Sequence, residues 1–268
     1  MKVIIGLGDS WTQGEGGLPQ EYFDKAGGNL INLDRDEDDP EILKHEHENS
    51  WVNQLTKKYF RDHKPINLGV RGYGNIGAVK NLYYSKLPKK ITGGKLIFCL
   101  SGRDRFDYPS GLNNEGLRKF RTFYPQVSVP QFQWYCEEMW NENAANEWTL
   151  LSIIEAQNFA RLHQLDFHFL YAFDNISDME DYHNLSRHID WYSCLTRDTT
   201  LLDLILEKDG LVGWDNQRLV DRPQPSKHFT NCLHPTIDGY TLIADYIFEH
   251  IKEPDPTPKP KPIIKSII

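Results

Sequence analysis

Four nearly unbroken apolar runs punctuate the chain: KVIIGLGDS (residues 2–10), PINLGV (65–70), KLIFCLSG (95–102) and LDFHFLYAF (165–173). A run that is apolar at successive positions, not alternate ones, predicts a strand covered on both faces. Between the runs, apolar residues recur at helical spacing. Ser50 can cap SWVNQLTKKYF, in which Trp51, Leu55 and Tyr59 share a face. A second helix starts near Asn75, with Ile76, Val79 and Tyr83 on one stripe, and EWTLLSIIEAQNFARLHQ leads into the fourth strand. The last helix, IDGYTLIADYIFEHIK, sets Tyr240, Ile243, Ala244, Ile247 and Ile251 in line. Strands alternating with helices predict an α/β fold with a mainly parallel central sheet covered by helices.

Two stretches interrupt the alternation. Residues 14–49 are Gly-rich and acidic, with DRDEDDPE and KHEHEN; residues 104–146 carry Phe106, Tyr108, Phe120, Phe123, Tyr124, Phe132, Trp134, Tyr135 and Trp140. Both read as insertions in a single domain spanning 1–252, and insertions of this length shape binding sites or partner surfaces. Beyond it, residues 253–268 (EPDPTPKPKPIIKSII) alternate proline from Pro254 to Pro262, which enforces an extended spacer. Its isoleucine tip is either a loose end or a docking segment for a protein partner or a second copy of the chain.

Composition narrows the classes. With 268 residues the chain can bury one sizeable α/β core, and a net charge of −8 leaves no basic excess for general nucleic-acid binding. No apolar stretch approaches the ~18–20 residues of a membrane span. Met1-Lys2 runs straight into VIIGLG, too short for a secretory core, so the expected location is cytoplasmic, without membrane association. Cys99, Cys136, Cys194 and Cys232 form no C-x-x-C pair and are expected as reduced, mostly buried thiols without zinc. His45 and His47, two apart in an acidic stretch, are expected to be solvated and not metal ligands.

Three loops leave the carboxyl ends of the predicted strands with unusual chemistry: GDSWTQG, NLGVRGYGN and LSGRDRF. A fourth segment, TNCLHPTIDGY, precedes the last helix. Ligands gather at such strand ends in an open parallel sheet. Together the four segments resemble the blocks of the SGNH, or GDSL-like, hydrolase superfamily. Gly8-Asp9-Ser10-x-Thr12-x-Gly14 matches the first block, Asn67, Gly69 and Gly72 the second, and His234-Pro235 the fourth. The chain has no G-x-S-x-G, the mark of a different hydrolase type. The resemblance implies a three-layer α/β/α sandwich of flavodoxin-like kind. It also implies a serine ester hydrolase with Ser10 as nucleophile, His234 as general base, and no metal or organic cofactor. GDSWTQG and LSGRDRF further resemble divergent members encoded by tailed bacteriophages, which implies a virion location in that case.

Serine needs such a base because its hydroxyl is a poor nucleophile at its own pKa. The oxyanion that forms needs preorganised donors. The resemblance implies the amides of Ser10 and Gly72 and a third-block side chain. That block normally reads Gly-x-Asn-Asp; here the favoured register places Ser101, Arg103 and Asp104, and sliding by one aligns Gly102 instead. Arg103 is therefore the candidate donor, and Asp9 and Asn75 join the candidate oxyanion and substrate-binding set. The fourth block has Asn231 where an aspartate is usual. Asn231, a backbone carbonyl, Asp215 or Asp221 could receive the imidazole N–H.

Plainer roles exist for each candidate. Ser10 could cap the next helix, His234 pack in a turn, Gly72 serve a tight turn, and Asn231 be a turn residue. Arg103 and Arg105 could pair with Asp104 and Asp107 at the surface. The insertion aromatics could close a subsidiary core or stack on sugar rings, the latter suiting carbohydrate acetyl esters as substrate. A rival expectation is an SGNH-shaped binding or structural module with weakened catalysis, docking through its tail.

Overall fold

In the computed structural model, which describes residues 1–26, 39–88, 90–112, 118–123, 141–180, 184–214, 216–221 and 226–251, the first apolar run becomes β1 (Val3–Gly8), buried throughout. The chain continues through α1 (Ser10–Gln13), α2 (Gln20–Lys25), α3 (Pro40–Asn49), α4 (Trp51–Tyr59), β2 (Lys64–Gly69), α5 (Asn75–Tyr84) and β3 (Gly94–Leu100). A hairpin of β4 (Phe106–Leu112) and β5 (Arg118–Phe123) follows. Then come α6 (Glu142–Leu162), β6 (Asp166–Tyr171), α7 (Leu201–Lys208), α8 (Asn216–Asp221) and α9 (Ile237–Ile251).

The central sheet runs β2-β1-β3-β6 with every pairing parallel. Its side chains alternate between two cores. Val3, Ile5 and Leu7 join Val79 and Leu82 of α5 and Ile153 and Phe159 of α6. Ile4 and Ile97 join Trp51 and Leu55 of α4, Ile205 of α7 and Ile243 and Ile247 of α9. Helices on both faces make a three-layer α/β/α sandwich. The strands read as continuous apolar runs because each face meets its own helical layer.

The first insertion is not the solvated acidic loop its composition suggests. It contains α2 and α3, and α3 begins where Asp39 accepts from the amides of Glu41 at 2.8 Å and Ile42 at 3.5 Å, with Pro40 in the first turn. Ile42 and Glu46, one turn apart, both point inward. In the second insertion β4 and β5 pair antiparallel. The aromatics from Tyr124 to Trp140 and the tail from 253 lie outside the described residues, as do Cys136 and Asp215. No helix among the described residues is long and apolar enough to cross a membrane. Cys99, Cys194 and Cys232 are free thiols.

Candidate active site

Asp9 follows the end of β1 at Gly8, and this residue, not Ser10, caps the turn that follows. Its Oδ1 accepts from the Trp11 amide at 3.0 Å, and Oδ2 accepts from Ser101 Oγ at 3.0 Å and Arg105 Nη1 at 2.9 Å. Fully buried, Asp9 holds three chain segments together and does not line the cavity, so the expectation that it binds substrate is corrected. Freed from capping, the Ser10 hydroxyl faces the other end of the chain. His234 Nε2 stands 2.9 Å from Ser10 Oγ.

The histidine is held by a short loop before α9. Thr230 Oγ1 accepts from the His234 amide at 3.1 Å, and the His234 carbonyl accepts from Thr230 N and Oγ1, each at 2.8 Å. Leu233 takes the left-handed conformation at φ 62°, a strain typical of sites that aim a side chain. Nδ1 lies 2.7 Å from the Cys232 carbonyl, which can only accept, so Nδ1 carries the hydrogen. In the neutral ring Nε2 is then the acceptor, aimed at the serine hydroxyl.

A largely buried hydrogen-bonded pair supports this loop from below. His228 Nδ1 meets Asp209 Oδ1 at 2.5 Å, and the His228 amide donates to Oδ2 at 3.1 Å. Burial pushes the Asp209 carboxyl upward, but hydrogen bonds from Ser226 and His228 outweigh it and hold the carboxyl below its ordinary value. A depressed carboxylate contributes stability above its unfolded-state pKa and loses it as pH falls through the folded one. Asp209→Asn is expected to cost about 2 kcal/mol at neutral pH. In urea titrations the gap to wild type should narrow as pH drops below ~4; a gap independent of pH would deny the carboxylate this role.

Other sequence candidates fall in different places. Asn75 Oδ1 accepts from the Ser101 amide at 2.8 Å and its Nδ2 donates to the Ser101 carbonyl at 3.3 Å. It therefore braces the third block and does not face the cavity. Arg103 turns to α6, with Nη1 donating to Asn146 Oδ1 at 3.1 Å and Nη2 3.2 Å from Glu142 Oε1. Its assignment as oxyanion donor is corrected on that ground. Arg105 lines the cavity instead, its Nη1 fixed by Asp9 and by the Tyr73 carbonyl at 3.2 Å. Asp107 caps α5, accepting from the amides of Gly74 at 2.8 Å and Gly77 at 2.6 Å. Arg103 thus faces α6, Arg105 faces Asp9, and Asp107 faces the start of α5.

Asn231 is not the partner of the imidazole N–H. Its Nδ2 donates to the Val220 carbonyl at 3.0 Å, and the Cys232 carbonyl takes the Nδ1 hydrogen. Asp221 closes α8. The second block docks on the first through Asn67, whose Nδ2 reaches the carbonyls of Thr12 at 2.8 Å and Gln13 at 3.1 Å. Gly72 follows in a turn at φ 72°, a conformation that favours glycine.

Sequence reasoning missed Glu15. Gly14, the last motif glycine, has φ 109°, and a Cβ there would fall 2.0 Å from the Glu46 carbonyl oxygen. That close approach brings α3 against the turn at Ser10 and aims Glu15 at the histidine, with Oε2 3.4 Å from His234 Nε2. The one available signal was a charged residue inside the glycine-rich QGEGG. Burial opposes charge on His234, but Glu15, Cys232 and Asp9 outweigh it, and the imidazole is pushed up to about 9. Ser10, His234, Trp11, Phe173 and Arg105 open on a cavity of about 570 Å³.

No family model matches the chain, and no curated protein does. Among solved structures it is similar to a protein ascribed to the lipolytic G-D-S-L family from Desulfitobacterium hafniense, at 12% identity and TM-score 0.43, covering 93% of this chain and 99% of that one. It is similar to a member of the lipolytic protein G-D-S-L family from Veillonella parvula at 12% identity and TM-score 0.38, covering 93% and 97%. It is also similar to LAE5, an alpha/beta hydrolase enzyme from the metagenome of Lake Arreo, Spain, at 13% identity and TM-score 0.38, covering 93% and 94%.

Proposed function

We propose that the protein is a serine ester hydrolase acting from the mouth of the parallel sheet. The observation that carries the reading is the 2.9 Å contact between Ser10 Oγ and His234 Nε2, with Nδ1 already committed to the Cys232 carbonyl. As Ser10 Oγ bonds to the ester carbon, its proton passes to Nε2 and the carbonyl electron pair moves onto oxygen. The Ser10 amide is the proposed donor to that oxyanion, with the Arg105 guanidinium supplying positive charge from the cavity wall; Gly72, the second donor the motif resemblance implies, is not among the residues lining the cavity. Collapse of the intermediate breaks the C–O bond, and the imidazolium returns its proton to the leaving alkoxide. Water repeats the sequence on the acyl-serine and restores the enzyme.

Phe173, Leu202, Phe229 and Leu233 line the cavity beside the serine and suit a short apolar acyl or alcohol group. Acetyl esters of carbohydrate are the natural substrate class within this reading, on the SGNH resemblance of the sequence motifs. A fluorophosphonate probe tests the proposal. The expected result is a single covalent adduct on the peptide holding Ser10, lost in His234→Gln. An unlabelled wild type, or labelling elsewhere, would instead favour a binding module whose chemistry has gone.

A further inference from the structure

The fourth block offers no acid to His234, yet a buried carboxylate stands beside the ring. We propose that Glu15 is the acidic partner of His234, supplied by the loop after the nucleophile turn and placed at the ε nitrogen, where it balances the imidazolium formed when Ser10 gives up its proton. Its catalytic meaning rests on the esterase reading; its physical content is the charge on one imidazole.

The geometry carries this in three steps. Glu15 Oε2 lies 3.4 Å from Nε2, the same nitrogen that faces Ser10 Oγ at 2.9 Å. One N–H is thus within reach of both oxygens. Behind Glu15, Arg71 Nε stands 3.6 Å from Oε2, while Arg71 Nη2 meets Glu46 Oε1 at 2.5 Å. Glu46 Oε2 also accepts, from Gln13 Nε2 at 3.1 Å, so both Glu46 oxygens are held by donors. Burial holds the Glu46 pKa above its ordinary value, and the Arg71 charge and the Gln13 hydrogen bond limit that rise.

The charges then decide the sign. Arg71 faces two carboxyl groups, Glu46, whose side chain is fully buried, and Glu15, whose side chain is 11% exposed. A cation on the His234 ring lowers the cost of holding the Glu15 carboxylate out of water. Among the groups around the ring Glu15 favours the charged imidazole most, and Cys232 and Asp9 add to it. Asp9 is paired with Arg105 at 2.9 Å. The Cys232 thiol shares the histidine's own loop, and Asp104, Asp174 and Arg105 stand on the cavity wall. Glu15 forms no bond to substrate and keeps no proton, so it acts as a positioning residue through His234.

Two consequences follow for pH. The base must be neutral to accept the Ser10 proton, so the rate climbs tenfold per unit up to the imidazole pKa and levels above it. With that pKa near about 9, hydrolysis is fastest under alkaline conditions. Removing the Glu15 charge moves the limb to lower pH and lowers the plateau, because the imidazolium loses its counter-charge.

The test is an NMR titration of the His234 ring in the full chain, with the resonance assigned by its loss in His234→Gln. The wild-type midpoint is expected near about 9. In Glu15→Gln it should fall by at least about one unit, and Glu15→Asp should recover most of the shift. Hydrolysis of 4-nitrophenyl acetate should show the same displacement of its alkaline limb. A wild-type midpoint in the ordinary histidine range overturns the pairing without any variant, and so does an unchanged midpoint in Glu15→Gln. Should the midpoint move while Ser10 proves irrelevant to hydrolysis, the pairing stands and only the esterase reading falls.

Discussion

Ser10→Ala is expected to cut the hydrolysis of a short-chain aryl ester such as 4-nitrophenyl acetate by on the order of 10⁴-fold or more. The size follows from the absence of a substitute. In the proposed reaction Oγ is the atom that bonds to carbon, and its described hydrogen bond is the one to His234. The fold should barely notice, because Asp9 caps α1 and the Ser10 backbone contacts to Gly14 and Glu15 need no hydroxyl. Stability should therefore change by no more than about 1 kcal/mol, and matched circular dichroism would confirm that chemistry alone was lost. Rates should be compared above pH 8, where the imidazole is deprotonating and any activity is largest. Activity in Ser10→Ala within tenfold of wild type would sink the nucleophile assignment.

Asp9→Asn should do damage of another kind. The carboxylate is fully buried, and its two oxygens accept from the Trp11 amide, the Ser101 hydroxyl and Arg105. An asparagine retains one acceptor oxygen and turns an NH₂ group toward donors, leaving the mostly buried guanidinium without its counter-charge. Breaking a buried pair in this way costs about 3–5 kcal/mol. For a domain of this size that lowers the melting temperature by roughly 10 °C. Activity should fall as well below the transition, because Asp9 joins the turn at Ser10, the third block and the cavity wall. Arg103→Met is the internal comparison: its partners lie on α6, and it should shift stability by under about 1 kcal/mol. Equal losses in the two variants would show that Asp9 is not the hub described here.

Much of this architecture is legible in the chain as written. The four strands, the helix capped by Ser50 and the final helix depend on neighbours a few positions apart, so periodicity and capping residues reveal them. Ser10 and His234 are legible too, since a motif is a local string. Helix α3 was not, because charge composition suggested a solvated loop while Arg71, from the turn after β2, made the burial of Glu46 tolerable.

The sequence alone thus determined the alternation of strands and helices, the strand end that holds the serine, and the late histidine. Tertiary structure decided the partners. The Cys232 carbonyl that orients the imidazole is backbone and has no side-chain code. Arg105 displaced Arg103 because the chain beyond β3 turns one guanidinium toward Asp9 and the other toward α6. Glu15 meets His234 because parallel strands and their crossovers bring the two ends of the chain to one mouth of the sheet. Charge balance in a buried site depends on distance through space, and linear spacing does not encode it.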